Sequence, residues 1–283
     1  MSPRKPMATP MAPTEHAGDA GASASAGVQS IQRAMSVLRL VACGMEHGVR
    51  ISDIAAMSGL SHSTVHRLLK VLVQESAVEQ DPQTRRYRIG PEMSLLGLAR
   101  TNRFPIKTIA QPYLNALVEQ IGDVAFLSVR HGADSVCIGR TLGHHAIQVL
   151  SIEEGARRPL GASVSGVVLL SGMEQDLSER ITQSNAVRLE RSGCRATAVL
   201  DKVRAARQAG FVYAEDGVMP GTSAVAVPVR DPRGQVVAAI SVAALNARLD
   251  RKRMPAVRSC MLEQSSMITR RLAQLEKARP RQA

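Results

Sequence analysis

The spacing of apolar positions changes several times along the chain, and each change marks a different element. Residues 1–27 carry no periodic apolar pattern and are rich in Pro, Ala, Ser and Gly. A segment with no continuous apolar face gains too little from burial to offset the entropy of ordering, so a disordered leader is expected there. From Val28 the pattern turns helical: Ile31, Met35, Leu38 and Val41 or Ala42 recur at three- and four-residue intervals, and Gly44 and Gly48 punctuate the end of that helix.

Residues 51–73, ISDIAAMSGLSHSTVHRLLKVLV, are the most informative stretch. Ile51, Ile54, Ala55 and Met57 mark one short helix, with Ser52 as the expected N-cap. Gly59 supplies the positive φ of a tight turn, and Leu60 packs inward behind it. Ser61 is placed to cap a second helix whose buried stripe is Val65, Leu68, Leu69 and Leu72. That leaves His62, Ser63, His66, Arg67 and Lys70 on or beside its exposed face. Two short helices around a glycine turn, the second polar in its N-terminal half, have helix-turn-helix geometry. In VEQDPQTRRYRIG, residues 78–90, two short strands flank the turn DPQT. This hairpin reads as a wing whose tip carries Arg85 and Arg86, with Tyr87 packing it onto the domain. A helix opened by Pro91, apolar at Met93, Leu95, Leu96 and Leu98, runs to Asn102 before Pro105 interrupts it. The resulting division is a DNA-binding unit at 28–90 and a linker helix at 91–104.

Beyond the linker, residues 105–276 alternate between helix and strand. A helix is expected at 107–121, strands at 124–130, 135–142 and 146–151, then the small-residue loop GASVSG at 161–166 leading into apolar 167–170. A helix at 199–209 ends at Gly210, strands follow at 211–214, 222–230 and 236–244, and a long helix covers 252–276. Residues 277–283 form a basic tail. The chain is thus of the mixed α/β (α+β) class, a winged helix-turn-helix followed by a sensor-like domain with a largely antiparallel sheet.

Charge sharpens the reading. The net charge is +12, with ten Lys/Arg against six Asp/Glu in 28–104 and ten against three in 248–283, whereas 105–247 is nearly neutral. The excess suits a polyanion, although a basic C-terminal tail serves solubility equally well. Apolar runs are too short to cross a bilayer, and the N-terminus lacks the apolar core of a secretory signal. Cys43, Cys137, Cys194 and Cys260 form no CxxC pair and read as reduced thiols of a cytoplasmic protein. Catalysis finds no support. Ser163 and Ser165 do not form a GxSxG elbow, and His144 and His145, adjacent in sequence, diverge on a strand and make poor joint metal ligands. No P-loop or GxGxxG indicates a nucleotide cofactor.

The segments VQSIQRAMSVL, ISDIAAMSGLSHSTVHRLLKVL and VEQDPQTRRYRIGPEMSLLG resemble the N-terminal domain of the IclR family of bacterial regulators. RRPLGASVSG at 157–166 and GFVYAEDGVMPGTSAVAVPVRDPRGQVVAAISV at 210–242 resemble that family's effector-binding region, so the likeness spans about 28–275. It implies a homodimer or dimer of dimers paired partly through the linker helix. It also implies a GAF-like C-terminal domain that binds a small, often carboxylate-bearing metabolite and thereby alters either binding to a palindromic double-stranded DNA operator or the recruitment of polymerase. Repressor and activator use the same parts, and both stay open.

Ser61, Ser63, Thr64, His66, Arg67, Lys70, Arg85 and Arg86 are the candidate DNA contacts. Arg67 is the strongest, because Arg donates two hydrogen bonds to guanine, although a phosphate is an equally open target. In a purely structural reading Thr64 serves the helix cap and Arg67 an internal ion pair. Arg85 and Arg86 are expected on phosphate. The resemblance implies effector contacts at Ala162, Ser163 and Val164, whose backbone N–H groups would face an anion at a helix start, and at Glu215 or Asp216, Thr222, Ala224, Ser241 and Ala243. The chain departs from the common family pattern at Val167 (often Lys), Gly217 (often Glu), and Ala224 and Ala243 (Cys and Ser in some relatives), which points to a more apolar ligand or a larger pocket.

Overall fold

The computed structural model describes residues 19–44, 47–98 and 105–278. The chain divides between Ser94 and Leu95 into two compact units.

In the first unit, α1 (Asp19–Ala42), α2 (Ile51–Ser58) and α3 (His62–Gln74) enclose a core of Val37, Leu38, Val41, Ile54, Val65 and Leu69. Val78 and Tyr87 close that core from the hairpin of β1 (Val78–Gln80) and β2 (Tyr87–Ile89). Helix α1 starts nine residues earlier than its apolar pattern, inside the segment read as leader. Its extra turns are built of Asp, Ala, Ser and Gly, with no proline; they extend a helix already nucleated by its packed half, where each added residue gains a hydrogen bond without a new nucleation cost. Residues 1–18 lie outside the described residues. Ser52 is not a cap: α2 begins one residue before it, after an extended Arg50 with no side-chain cap bond. Gly59 adopts φ 69° and its N–H closes the helix on the Ala55 carbonyl. Val49, which pattern alone does not mark as extended, exchanges two backbone hydrogen bonds with Tyr87 (2.9 and 2.8 Å) and adds a third rung beside the wing. Helix α4 (Pro91–Leu98) begins at the expected proline, and the rest of the proposed linker, 99–104, lies outside the described residues.

The second unit is a six-stranded antiparallel sheet in the order β5–β4–β3–β8–β7–β6. Its strands are β3 (Val124–His131), β4 (Asp134–Thr141), β5 (Arg157–Pro159), β6 (Val212–Glu215), β7 (Thr222–Arg230) and β8 (Val236–Leu245). Side chains alternate between its faces, with register shifts at Leu127/Ser128 and Val229/Arg230. Leu127, Val225, Val227, Ile240 and Val242 face α5 (Pro105–Ile121) and α10 (Met254–Ala278) in one core. Ala226 and Ala239 face the opposite way, toward α6 (Val164–Ser171) and α9 (Ala196–Ala209). Two corrections follow. The segment 146–151 is not a strand, since the Gln148 side chain donates back to Gly122 O (3.0 Å) and His145 O (2.7 Å) and the turn is held locally. Two further helices, α7 (Gln175–Ser184) and α8 (Ala186–Arg191), carry no clear apolar period, because the buried face of α7 is Ser178, Ile181 and Thr182.

Candidate DNA-binding and effector sites

The polar face of α3 is opposite its buried stripe. Val65 and Leu69 are fully buried, and at 3.6 residues per turn Ser63, His66, Arg67 and Lys70 emerge on the other side, all exposed. The N-terminus of the helix is organised by hydroxyls. Ser61 Oγ accepts from Thr64 N–H (3.3 Å) and shares hydrogen bonds with Thr64 Oγ1 (2.8 Å) and Ser63 Oγ (3.1 Å). Thr64 is half-buried in this cap, so its hydroxyl is engaged in the structural role weighed for it. Among the described residues Arg67 and Lys70 have neither an ion pair nor a side-chain hydrogen bond, which leaves their charges available to a polyanion.

The wing separates two arginines that sequence treats alike. Asp81 organises its turn by accepting from Gln83 N–H (2.9 Å) and Thr84 N–H (2.8 Å) and pairing with Arg88. These bonds, the Thr84 N–H foremost, hold its carboxyl below the usual carboxylate range. Arg85 sits at the turn with φ 57°, exposed. Arg86 folds back, half-buried, and donates from Nη1 to Gly48 O (3.1 Å). It ties the wing to the body and is not the free tip cation that was expected. Arg50, just ahead of α2, is a further exposed cation that no motif had marked.

In the second unit a cavity of about 350 Å³ opens between the sheet and the layer of α6 and α9. Ala162, Ser163, Val164, Thr222, Ala224, Ser241 and Ala243 all line it. The loop before α6 is tightly fixed. Gly161 has φ 101°, and a Cβ there would lie 2.5 Å from Val199 Cγ1, so only glycine lets the chain turn against α9. Ser163 caps α6 by accepting from Gly166 N–H (3.2 Å), and the amides of Val164 and Ser165 precede the first intrahelical donor. The Ala162 amide is already committed to Pro159 O (3.1 Å), so its contribution is a methyl wall and not an anion-binding N–H.

Glu215 and Asp216 do not line the cavity. Glu215 pairs in register with Ser223, next to Val225, and so lies on the α5/α10 face, where it meets Arg251 (3.3 Å) and the Tyr213 hydroxyl (3.0 Å). Ala214, one residue earlier, takes the cavity side. Asp216 is a turn residue with φ 51° whose Oδ1 receives Gly221 N–H (2.5 Å) and Asn246 Nδ2 (2.9 Å). Unanticipated lining residues include Phe126, Ser128, Arg158, Cys194 and Lys202. Only Arg158 had a visible signal, standing beside the small-residue loop. Adjacent Arg157 and Arg158 leave opposite faces of β5, and only the register shows that Arg157 meets Asp134 (3.2 Å) while Arg158 turns inward.

Comparison with known proteins finds a match for each unit. The model of the IclR helix-turn-helix domain matches residues 30–82, and that of the bacterial transcriptional regulator IclR C-terminal domain matches residues 98–270. A curated relative, the HTH-type transcriptional regulator BhcR of Paracoccus denitrificans, is 28% identical over 256 residues, 89% of this chain and 90% of its own. A solved IclR transcriptional regulator from Silicibacter superposes with a TM-score of 0.71 at 23% identity, over 86% of this chain and 96% of that one. An IclR homologue from Microbacterium hydrocarbonoxydans, solved in complex with 4-hydroxybenzoate, gives 0.64 at 23% identity over 87% and 99%. With a polar-faced recognition helix ahead of a wing, and a lined cavity in a separate antiparallel unit, the chain belongs to the IclR family of bacterial transcriptional regulators, a DNA-binding helix-turn-helix joined to an effector domain.

Proposed function

We propose that the protein binds a palindromic operator in double-stranded DNA as a homodimer or dimer of dimers, laying α3 of each protomer into a major groove. The observation that carries this reading is the unpaired face of α3. Arg67 and Lys70 project opposite the buried Val65–Leu69 stripe with no side-chain partner among the described residues. Arg67 reads or anchors the site, Ser63 and His66 flank it, and Arg85 adds a phosphate contact that raises affinity without sequence information. Helix α4 serves as the start of the linker, with Leu95, Leu96 and Leu98 exposed for pairing between protomers. The regulator acts in the cytoplasm.

The cavity of the second unit is the effector site, and its occupant is a small anion such as a carboxylate. The free amides at the start of α6 support this, as does the bound 4-hydroxybenzoate of the Microbacterium homologue. Selection of genomic fragments by the purified protein, beside Arg67→Ala, tests the DNA half of the reading. Enrichment of a short palindrome by the wild type alone is expected. Equal enrichment by the variant refutes the role of Arg67, and enrichment of nothing with or without carboxylates refutes the DNA reading.

A further inference from the structure

The cavity is chemically lopsided, and strand register shows how. Across the sheet, Phe126 faces Ser241 and Ser128 faces Ala239, so Ser128 and Ser241 are diagonal neighbours on the floor, about 7–8 Å apart between backbones. On the other side Ser128 faces Cys137, and two residues along β4 Ser135 faces Arg158. Arg158, Ser128 and Ser241 therefore run obliquely across one end of the floor. Further along the strands the floor is Ala243, Ala224 and Ala214, and α9 covers it with Ala205, Ala206 and Ala209.

Two members of the polar end have polar groups that open on the cavity without a full set of partners. Ser128 is 3% exposed, and its hydroxyl has no hydrogen-bond partner among the described residues although it lines the cavity. Arg158 is half-buried and uses Nη2 on Ser151 O (2.7 Å), with no carboxylate in ion-pair range among the described residues. Its neighbour Arg157 has Asp134 for that purpose. Burial pulls the Arg158 guanidinium below its ordinary value, and what counters it is the Cys137 thiol and not a carboxylate. Ser241, by contrast, is already engaged by Ser165 (2.9 Å). Lys202 on α9 and Thr222 also reach the lining, but an unpaired cation and an unpaired hydroxyl at one end of the floor, with alanines at the other, are complementary to an anionic head on an apolar body.

We propose that Arg158 and Ser128 form an anion subsite that takes the carboxylate of a monoanionic effector whose remaining body is apolar. The carboxylate accepts from the free guanidinium N–H groups and from Ser128 Oγ–H, and the body lies along the alanine end between floor and α9. Polyhydroxylated ligands fit poorly, because the Thr222 hydroxyl at that end is spent on Met219 O (2.7 Å) and a ligand's hydroxyls would otherwise face methyl groups and lose their water. The proposal rests on the effector reading of this cavity.

The test is calorimetric titration of the full chain with benzoate, 3-phenylpropionate, hexanoate and octanoate, each beside its primary amide. At least one acid is expected to bind about tenfold more tightly than its amide, the scale of one charge-assisted contact. Arg158→Gln, which keeps a donor for Ser151, is expected to abolish that preference, and Arg158→Lys to restore part of it. Ser128→Ala is expected to weaken the acid several-fold and leave the amide unchanged. Melting curves establish that each variant folds. Equal binding of acid and amide, an undiminished preference in Arg158→Gln, or silence of all four acids at millimolar concentration overturns the proposal. Ala205→Phe, on the exposed flank of α9, fills the cavity and separates the two levels of failure. If it blocks acids and amides alike while Arg158→Gln does nothing, the cavity is the binding site and the anion subsite is wrong. If it blocks neither series, the effector reading of the cavity falls as well.

Discussion

Neighbouring arginines in the wing should behave as different residues. Arg85→Ala removes an exposed cation whose side chain has no partner among the described residues, so the fold has little to lose. If Arg85 meets one phosphate per protomer, the slope of log affinity against log salt falls by about 0.9 per contact, or about 1.8 for a dimer. Over a fourfold rise in salt, the wild type then loses about twelvefold more affinity than the variant. Arg86→Ala instead removes the 3.1 Å bond to Gly48 O that holds the wing to the body. A hydrogen bond from a charged donor is worth about 1.5–3 kcal/mol, and partial exposure reduces this one to about 1 kcal/mol. In a unit of this size that lowers the midpoint of unfolding by about 4–8 °C. Fluorescence anisotropy with a labelled operator at several salt concentrations, together with thermal melts, reads both effects. A flattened salt slope in Arg86→Ala matching that of Arg85→Ala would refute the reasoning, as would an Arg85→Ala slope equal to the wild type.

Leu69→Ala empties a fully buried position between the helices of the first unit and should cost about 2–5 kcal/mol; DNA binding should fail while the second unit melts as in the wild type, and a joint loss would count against independent units. Asp123 is 2% exposed and receives both Arg248 (2.8 Å) and Arg253 (2.7 Å). Asp123→Asn strands two half-buried cations, at about 3 kcal/mol, and a chemical denaturation midpoint within error of the wild type would contradict this. Burial pushes the Cys137 thiol up to about 11, so alkylation at mildly alkaline pH should label exposed Cys43 and spare Cys137, as mass spectrometry of peptides would show. Because the thiol is raised on folding, its contribution to stability is constant at neutral pH and is lost as pH climbs from about 9 towards about 11. Stability that rises through that window would reverse the assignment.

Much of the DNA-binding unit was legible from the sequence because its signals are local. The glycine at 59, the capping serine at 61 and the Val65–Leu69 stripe each act within one or two turns of backbone, and the exposed face of α3 follows from helical period alone. The same local logic located β7, β8 and the end of α9 at Gly210. What sequence could not decide was every choice between two equivalent neighbours. Ala214 or Glu215 faces the cavity, Arg157 or Arg158 is left unpaired, and Arg85 or Arg86 stays free at the wing, according to strand register and to partners far away in sequence. Parity along a strand is exact, but its phase is set by pairing with residues tens of positions distant. Ser128 shows the limit most clearly: it is one serine in an apolar strand, and only the fold turns its hydroxyl into a cavity, with no hydrogen-bond partner among the described residues.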